Sequence, residues 1–226
     1  MAAKNGNEEN QGSPRGGSLK LIYALNAIAT TLQESIQSEE NVYEAFNNQV
    51  VALGLRGGIS LLDEEQQTLH FKSEVLSKSL KKNTRRMGKS LHLPADDVSI
   101  PVDKVDVYKQ VVEEGQSVYV PDTGRVSEQI IQRRKKGQTK PASSTVGDPP
   151  GIYAPLVFDR KIKGMLNVVG PELTENDIPT LQAFANQIAV ALENARLVHK
   201  LQDANEALNR AYQLTLEGWV KALDLR

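Results

Sequence analysis

The feature that most constrains this chain is its C-terminal part, where a helical pattern continues to the last residue. Residues 212–226 contain no capping residue, no stop signal and no polar tail. An unbroken helix over residues 174–226 would be about 80 Å long, whereas a compact domain of this size is about 40 Å across. We therefore expect about half of the helix to project, and the chain to be cut from a longer protein.

The projecting half carries an apolar stripe with the alternating spacing of four and three residues that is typical of a coiled coil. Each buried leucine side chain contributes about 1.5–3 kcal/mol, and a monomer has nothing to cover this stripe. We therefore predict a parallel homodimer. The predicted dimer seam consists of Leu197, Leu201, Ala204, Leu208 and Ala211.

A second apolar stripe, over residues 21–32, predicts an N-terminal helix. This helix either joins the C-terminal helix in a four-helix bundle, so that the homodimer forms through both, or packs on the sheet. Residues 181–195 have a wider apolar face than a coiled coil needs, and we expect them to lie on the sheet. One rigid helix would then connect a sensor domain to an output, and a ligand could bias two dimer packings if it binds them with different affinity.

Composition excludes several function classes. The net charge of −1 and the pI near 6.3 argue against a nucleic-acid partner and against a membrane-surface partner, since both need a dominant basic face. Because the chain has no cysteine, disulfides, thiolate metal sites, a cysteine nucleophile and a covalently attached bilin are excluded. No apolar run is long enough to span a bilayer, and the N-terminus lacks the hydrophobic stretch of a secretion signal. We expect a cytoplasmic protein.

The pattern of apolar and turn-forming residues divides the chain into three parts. Residues 1–17 are rich in Gly, Asn, Glu and Ser and are predicted to be a disordered leader. Residues 18–196 are predicted to form the sensor domain, and residues 197–226 the projecting helix that begins a missing output domain. Within the sensor domain we predict helices at 19–32, 42–53 and 105–114, hairpins at 58–62 with 68–72 and 151–158 with 162–169, a strand at 117–120, a polar lid or disordered loop at 123–150, and a last helix from Thr174 or Asp177.

This order of elements is similar to that of GAF domains, and three segments carry the resemblance. They are residues 58–63, residues 115–122, and the stretch from 153 through 168 together with 181–197. The resemblance covers roughly residues 19–197. It implies an α+β fold, with an antiparallel sheet, helices on one face and a small-molecule pocket on the other.

The C-terminal tail carries a second resemblance. Residues 211–226 resemble the opening helix of HD-GYP domains, which are metal-dependent hydrolases of cyclic di-GMP. In that family the His and Asp metal ligands follow this helix, so they would lie beyond residue 226. The resemblance implies a sensor that regulates a phosphodiesterase, while the chain itself is expected to be neither an enzyme nor a metal binder.

The candidate ligand-binding residues are basic side chains near the expected pocket and polar residues of the matching segments. The basic clusters could gather an anion such as a nucleotide, although solvated loop charge explains them more simply. The identity of the ligand cannot be read from the chain. The candidates are Arg85, Arg86, Tyr119, Asp122, Arg133, Arg134, Tyr153 and Asn167.

Other functions stay open at this point. His70, His92 and His199 have no carboxylates at metal-ligand spacing, so a catalytic or metal role is disfavoured. A structural dimerisation module without a ligand is one alternative, and a GAF input to another output, such as a histidine kinase, is a second. A stand-alone reductase or hydrolase would need an acid, base or nucleophile constellation that these residues do not offer.

Overall fold

The computed structural model describes residues 38–65, 67–75, 99–132 and 148–224. The predicted leader, the predicted helix at 19–32 and the basic candidates Arg85, Arg86, Arg133 and Arg134 lie outside these residues. The elements in chain order are α1 (Glu39–Ala52), β1 (Arg56–Leu62), β2 (Thr68–Val75), β3 (Ser99–Pro101), α2 (Asp106–Glu113), β4 (Val118–Val120), α3 (Gly124–Gln132), β5 (Gly151–Phe158), β6 (Lys161–Val169) and α4 (Ile178–Asp224).

The strands form a six-stranded antiparallel sheet in the order β3-β2-β1-β6-β5-β4. In the β1–β2 hairpin, the Asp63 carboxylate accepts hydrogen bonds from the backbone N–H groups of Gln67 at 2.8 Å and Thr68 at 3.2 Å. In the β5–β6 hairpin, Asp159 and Arg160 have positive φ angles of 49° and 59°, as a two-residue hairpin turn requires. The predicted α+β class and both predicted hairpins are confirmed.

The helices α1 and α4 cover one face of the sheet, which we call the helix face and which carries Ile59, Ile152 and Leu166. Phe46 of α1 and Phe184 of α4 stack with ring centroids 6.1 Å apart. The main core lies between this face and the two helices. Successive strand residues point to opposite faces of the sheet, and the apolar stripes of both helices pack against the residues that point to the helix face. Its helical members are Val42, Ala45, Phe46, Val50, Leu181, Phe184, Ala185, Ile188, Ala189, Ala191 and Leu192.

The opposite face, which we call the second face, carries Ser60, Tyr153 and Met165 and is packed against α2. The helix α3 also contributes to this side, through Val126. The GAF resemblance implied helices on only one face of the sheet. That expectation is incomplete, because α2 and α3 pack on the second face.

The helix α3 lies within residues 123–150, which were expected to be a polar lid or a disordered loop. That expectation is wrong for residues 124–132. The Asp122 carboxylate accepts hydrogen bonds from the backbone N–H of Gly124 at 2.9 Å and of Asp148 at 3.1 Å, which fixes the start of the helix. Val126 and Ile130, one turn apart, supply its apolar contacts. The sequence pattern did not predict this helix, because a short helix with only two apolar contact residues gives little helical periodicity within a polar stretch.

The last helix, α4, has 47 residues and is therefore about 70 Å long. A capping box precedes it, in which the backbone N–H of Thr174 donates to Asp177 at 2.9 Å. The apolar residues of α4 that face the sheet are buried from Leu181 to Ala195, whereas Leu201 is 72% exposed and Leu208 67% exposed. Among the described residues, no helix combines the length and apolarity needed to cross a bilayer.

Candidate functional site

The centre of the second face is built from three neighbouring strands. In the register, Asn167 of β6 lies opposite Gly58 of β1 and Tyr153 of β5, and Ser60 lies opposite Met165. Because Ile59 points into the core of the helix face, its neighbours Gly58 and Ser60 must point to the second face. The strand pairing thus brings residues of β1 and of the distant β5–β6 hairpin together on one small area.

Two polar atoms in this area are buried without a hydrogen-bond partner in the part of the chain that the structure describes. They are the Ser60 hydroxyl Oγ and the Asn167 side-chain Oδ1. Ser60 is completely buried. Leaving such an atom unsatisfied costs about 1–3 kcal/mol. The two atoms lie on adjacent strands, and buried polar atoms without a partner mark local strain, an enclosed water or a functional role.

Among the residues that the structure describes, the two other buried serine and threonine hydroxyls are satisfied. Ser73 of β2 donates a hydrogen bond to Oδ1 of Asn47 in α1 at 2.5 Å. Thr123 donates to the carbonyl oxygen of Pro149 at 2.8 Å. The lack of a partner at Ser60 is therefore specific to its position and is not a general property of the buried serine and threonine residues described.

The surroundings of the two atoms are aromatic and apolar. The rings of Tyr108 in α2 and Tyr153 in β5 lie 6.1 Å apart at an angle of 49°. Burial raises the pKa of the Tyr153 hydroxyl above its ordinary value, and the positive charge of Arg56 opposes that shift only in part. The phenol is thus neutral at physiological pH. Met165 and Leu69 are fully buried on the same side.

The structure brings together two of the sequence candidates and separates two others. Tyr153 and Asn167 are directly paired across β5 and β6. Tyr119 lies on the helix face, since it alternates with Val118 and Val120, and its hydroxyl donates to the carbonyl oxygen of Leu173 at 3.4 Å. Asp122 accepts the two backbone hydrogen bonds at the start of α3.

The sequence-based candidates did not include Ser60. The signal that could have found it is a single polar residue in the middle of the apolar strand Arg56–Leu62. Asn167 shows the same signal within Lys161–Val169. A polar side chain in the middle of a buried strand needs a hydrogen-bond partner, so such a residue marks a position with a special structural or functional role.

Histidines and carboxylates form no metal site within the described ranges, where no group of three or more potential ligands was found. His199 in α4 instead lies 3.6 Å from the Asp203 carboxylate, one helical turn further on and exposed to solvent. His92 lies outside the described residues.

Comparison with known protein families gives a match that covers most of the chain. Residues 37–193 match the family model of the GAF domain. The chain belongs to the GAF domain family. The matched family is a regulatory sensor fold rather than a catalytic family. Among curated proteins, none matches the chain.

Solved structures with the same fold have low sequence identity to this GAF domain. The A. aeolicus nlh2 GAF domain in an inactive state is 19% identical with a TM-score of 0.54, over 78% of this chain and 98% of that one. The GAF domain from an Acinetobacter phosphoenolpyruvate-protein phosphotransferase is 17% identical with a TM-score of 0.54, over 80% and 98%.

A third structure is an enzyme. The free methionine-R-sulfoxide reductase from Neisseria meningitidis, in complex with its substrate, is 16% identical with a TM-score of 0.53, over 87% of this chain and 99% of that one. At these identities the three structures show a shared fold and nothing about a shared ligand or activity.

Proposed function

We propose that this GAF domain is a sensor and dimerisation module that binds a small molecule on its second face and passes the bound state along α4 to an output domain. The observation that supports this proposal is α4 itself. One continuous helix is packed on the sheet as far as Ala195 and then exposes a row of leucines. A helix of this form can transmit a shift from the domain to whatever follows it.

The strand β5 provides the physical connection between the ligand area and α4. Its alternating residues place Tyr153 on the second face and Ala154 in the core under the helices. The side chain of Gln182 in α4 donates a hydrogen bond to the carbonyl oxygen of Pro155 in β5 at 3.2 Å. A ligand that displaces Tyr153 therefore acts on α4 through a single strand. The ligand shifts α4 only if its affinity differs between the two positions.

The proposed homodimer is formed through the seam Leu197, Leu201, Ala204, Leu208 and Ala211, all exposed in the monomer. A parallel coiled coil would bury these residues against the same residues of a second copy. The contribution of the N-terminal helix to the dimer is a further part of the proposal.

For the output, we favour an HD-GYP-type phosphodiesterase, on the resemblance of residues 211–226 to the opening helix of that family. Tyr212 and Trp219 are exposed in this part of α4, at 65% and 68%, so they offer contact surface to a following domain. A different output, such as a histidine kinase, remains the alternative. A cytoplasmic location is also part of the proposal.

A purely structural dimeriser without ligand is the second candidate function. It requires a second face whose polar groups are all satisfied by the protein. The unpartnered atoms of Ser60 and Asn167 favour the sensor instead.

The dimer is tested by light scattering coupled to size-exclusion chromatography. We expect the wild type to be a dimer and the double variant Leu201→Lys with Leu208→Lys to be monomeric. Its dimer dissociation constant should rise at least about a hundredfold, because four leucines lose their burial and are replaced by like charges. The matched control, Gln202→Lys with Asn209→Lys, adds the same charges beside the seam and should stay dimeric. A wild type that is monomeric at high concentration contradicts the relay.

A further inference from the structure

Six of the exposed large apolar residues of α4 repeat with a period of eleven. They follow one another at alternating spacings of seven and four residues, and each is between 46% and 72% exposed. Eleven residues exceed three full helical turns by only about 20°, so these side chains form one nearly straight line along the helix. We call this line the eleven-residue stripe, and it consists of Val190, Leu197, Leu201, Leu208, Tyr212 and Trp219.

The eleven-residue stripe and the seam of a seven-residue repeat separate after Leu208. Up to that point both contain the same leucines. A seven-residue repeat continues to Ala211 and Gly218, which are small. The eleven-residue repeat continues to Tyr212 and Trp219, which are large and 65% and 68% exposed. Beyond Leu208, the eleven-residue repeat therefore presents the larger apolar area for burial.

The charged residues of the distal part of α4 lie on the side opposite the stripe. At about 100° per residue, every charged residue between 201 and 222 falls within about 60° of arc on that side. Glu206 and Arg210 form an ion pair there at 3.8 Å, one turn apart. The charged residues of this range are Asp203, Glu206, Arg210, Glu217 and Lys221.

This separation of charge favours a second copy of the chain as the partner of the stripe. In a parallel symmetric pair, identical residues of the two copies meet. A charged residue beside the stripe would therefore face the same charge of the second copy. Between residues 201 and 222 the side of the stripe carries no such charge.

The stripe begins where α4 is still packed on the sheet. Leu181, Ile188 and Leu192 are buried on the side that becomes charged further along the helix. Val190 and Leu197 point away from the sheet and are 46% and 51% exposed. A second copy on the stripe would therefore contact the packed part of α4 as well as the part that follows it.

We propose that the eleven-residue stripe is the surface through which two copies of this GAF domain pair in parallel. This inference rests on the proposed homodimer and changes its seam, because Tyr212 and Trp219 take the place of Ala211. A seven-residue repeat winds two helices into a left-handed supercoil, whereas an eleven-residue repeat gives a right-handed one. The rings of Tyr212 and Trp219 then face the second copy, and the charged side, where Leu214 is exposed, is left to a following domain.

Cysteine cross-linking tests this register, because the chain has no cysteine of its own. A disulfide forms only where two α-carbons come within about 7 Å of each other. Under mild oxidation, we expect Tyr212→Cys and Trp219→Cys to form the interchain disulfide at least about tenfold faster than Ala211→Cys and Gly218→Cys. The control Asp203→Cys, on the charged side, should stay unlinked. Non-reducing gel electrophoresis measures the linked fraction over time.

The variant Leu201→Cys separates failure of the register from failure of the dimer, because Leu201 belongs to both repeats. If Leu201→Cys links and the faster distal pair is Ala211→Cys and Gly218→Cys, the eleven-residue stripe is wrong and the homodimer stands. Equal rates at the four distal positions would also overturn the stripe. If Leu201→Cys does not link and light scattering shows a monomer, both proposals are wrong.

Trp219 provides a second measurement, because it is the only tryptophan of the chain. In the wild-type dimer its fluorescence should lie at shorter wavelength than in the monomeric variant with Leu201→Lys and Leu208→Lys, since the second copy covers the ring. The variant with Gln202→Lys and Asn209→Lys should emit like the wild type. Identical emission from the dimeric and monomeric proteins would overturn the proposed stripe.

Discussion

At the residue scale, the sheet carries both a buried hydroxyl that weakens the fold and one that stabilises it, on opposite faces. Ser60 is completely buried and its hydroxyl has no described partner, while Ser73, on the neighbouring strand, has a short hydrogen bond to Asn47. Binding sites commonly reduce stability in this way, since a polar group kept for a ligand is unsatisfied in the ligand-free protein. The two serines therefore allow the same substitution to be compared in opposite environments.

We predict that Ser60→Ala leaves the free energy of unfolding unchanged or raises it by up to about 1 kcal/mol, because an unsatisfied buried hydroxyl is removed. Ser73→Ala should lower it by about 1–3 kcal/mol, because the Asn47 oxygen loses its donor. Urea unfolding of the ligand-free protein measures both values. A Ser60→Ala variant that is less stable than Ser73→Ala would show that the Ser60 hydroxyl has a structural partner.

At the element scale, the contact between β1 and β6 holds the candidate site together, and it depends on close packing of the two backbones. A Cβ atom built at Gly164 would lie 2.1 Å from the carbonyl oxygen of Ser60. A Cβ at Gly57 would lie 2.5 Å from the carbonyl oxygen of Asn167. Both obstacles are backbone atoms, which cannot turn away as a flexible side chain can. The two glycines are therefore required by the strand pairing that brings Ser60 near Asn167.

We predict that Gly164→Ala destabilises the domain strongly, by about 4 kcal/mol or more, since β1 and β6 must separate to make room. The control is Gly218→Ala in α4, where an added Cβ meets nothing within 4 Å. Alanine is preferred in a helix by about 0.5–1 kcal/mol, so this variant should be at least as stable as the wild type. Thermal unfolding followed by circular dichroism compares them, and equal melting temperatures would contradict the close contact.

At the scale of the whole molecule, the two parts of α4 have different sources of stability. Residues 178–195 contribute Leu181, Phe184 and Ile188 to the core under the sheet. From Leu201 onwards the described side chains of α4 are exposed. A helix without tertiary contacts is only marginally stable in water, so the distal part depends on a partner.

Hydrogen exchange followed by mass spectrometry should show this difference. In the monomeric variant with Leu201→Lys and Leu208→Lys, we expect peptides from residues 201–224 to exchange fast, because their helix has lost its partner. Peptides from residues 178–195 should stay protected. In the wild-type dimer and in the variant with Gln202→Lys and Asn209→Lys, both parts should be protected. Equal protection of residues 201–224 in all three proteins would mean that the distal helix needs no second copy.

What the sequence determined by itself is the type of most elements. Alternating strand patterns predicted the β5–β6 hairpin, and Gly54 and Gly115, with φ angles of 70° and 68°, ended helices where expected. The wide apolar face over residues 181–195 was likewise predicted to lie on the sheet, and its residues are buried there. These features depend on neighbours a few residues apart, which is the range of periodicity and capping.

Only the tertiary structure decided which residues meet. Ser60 is near Asn167 because β1 pairs with β6, a contact between segments about a hundred residues apart. Tyr119 and Tyr153 were both candidates because they lie in the matching segments, yet strand alternation places the two on opposite faces. The start of α3 depends on a hydrogen bond from Asp148 to Asp122 across a long connection. Pairing register and chain reversal are set by the free energy of the whole core, and no local pattern encodes them.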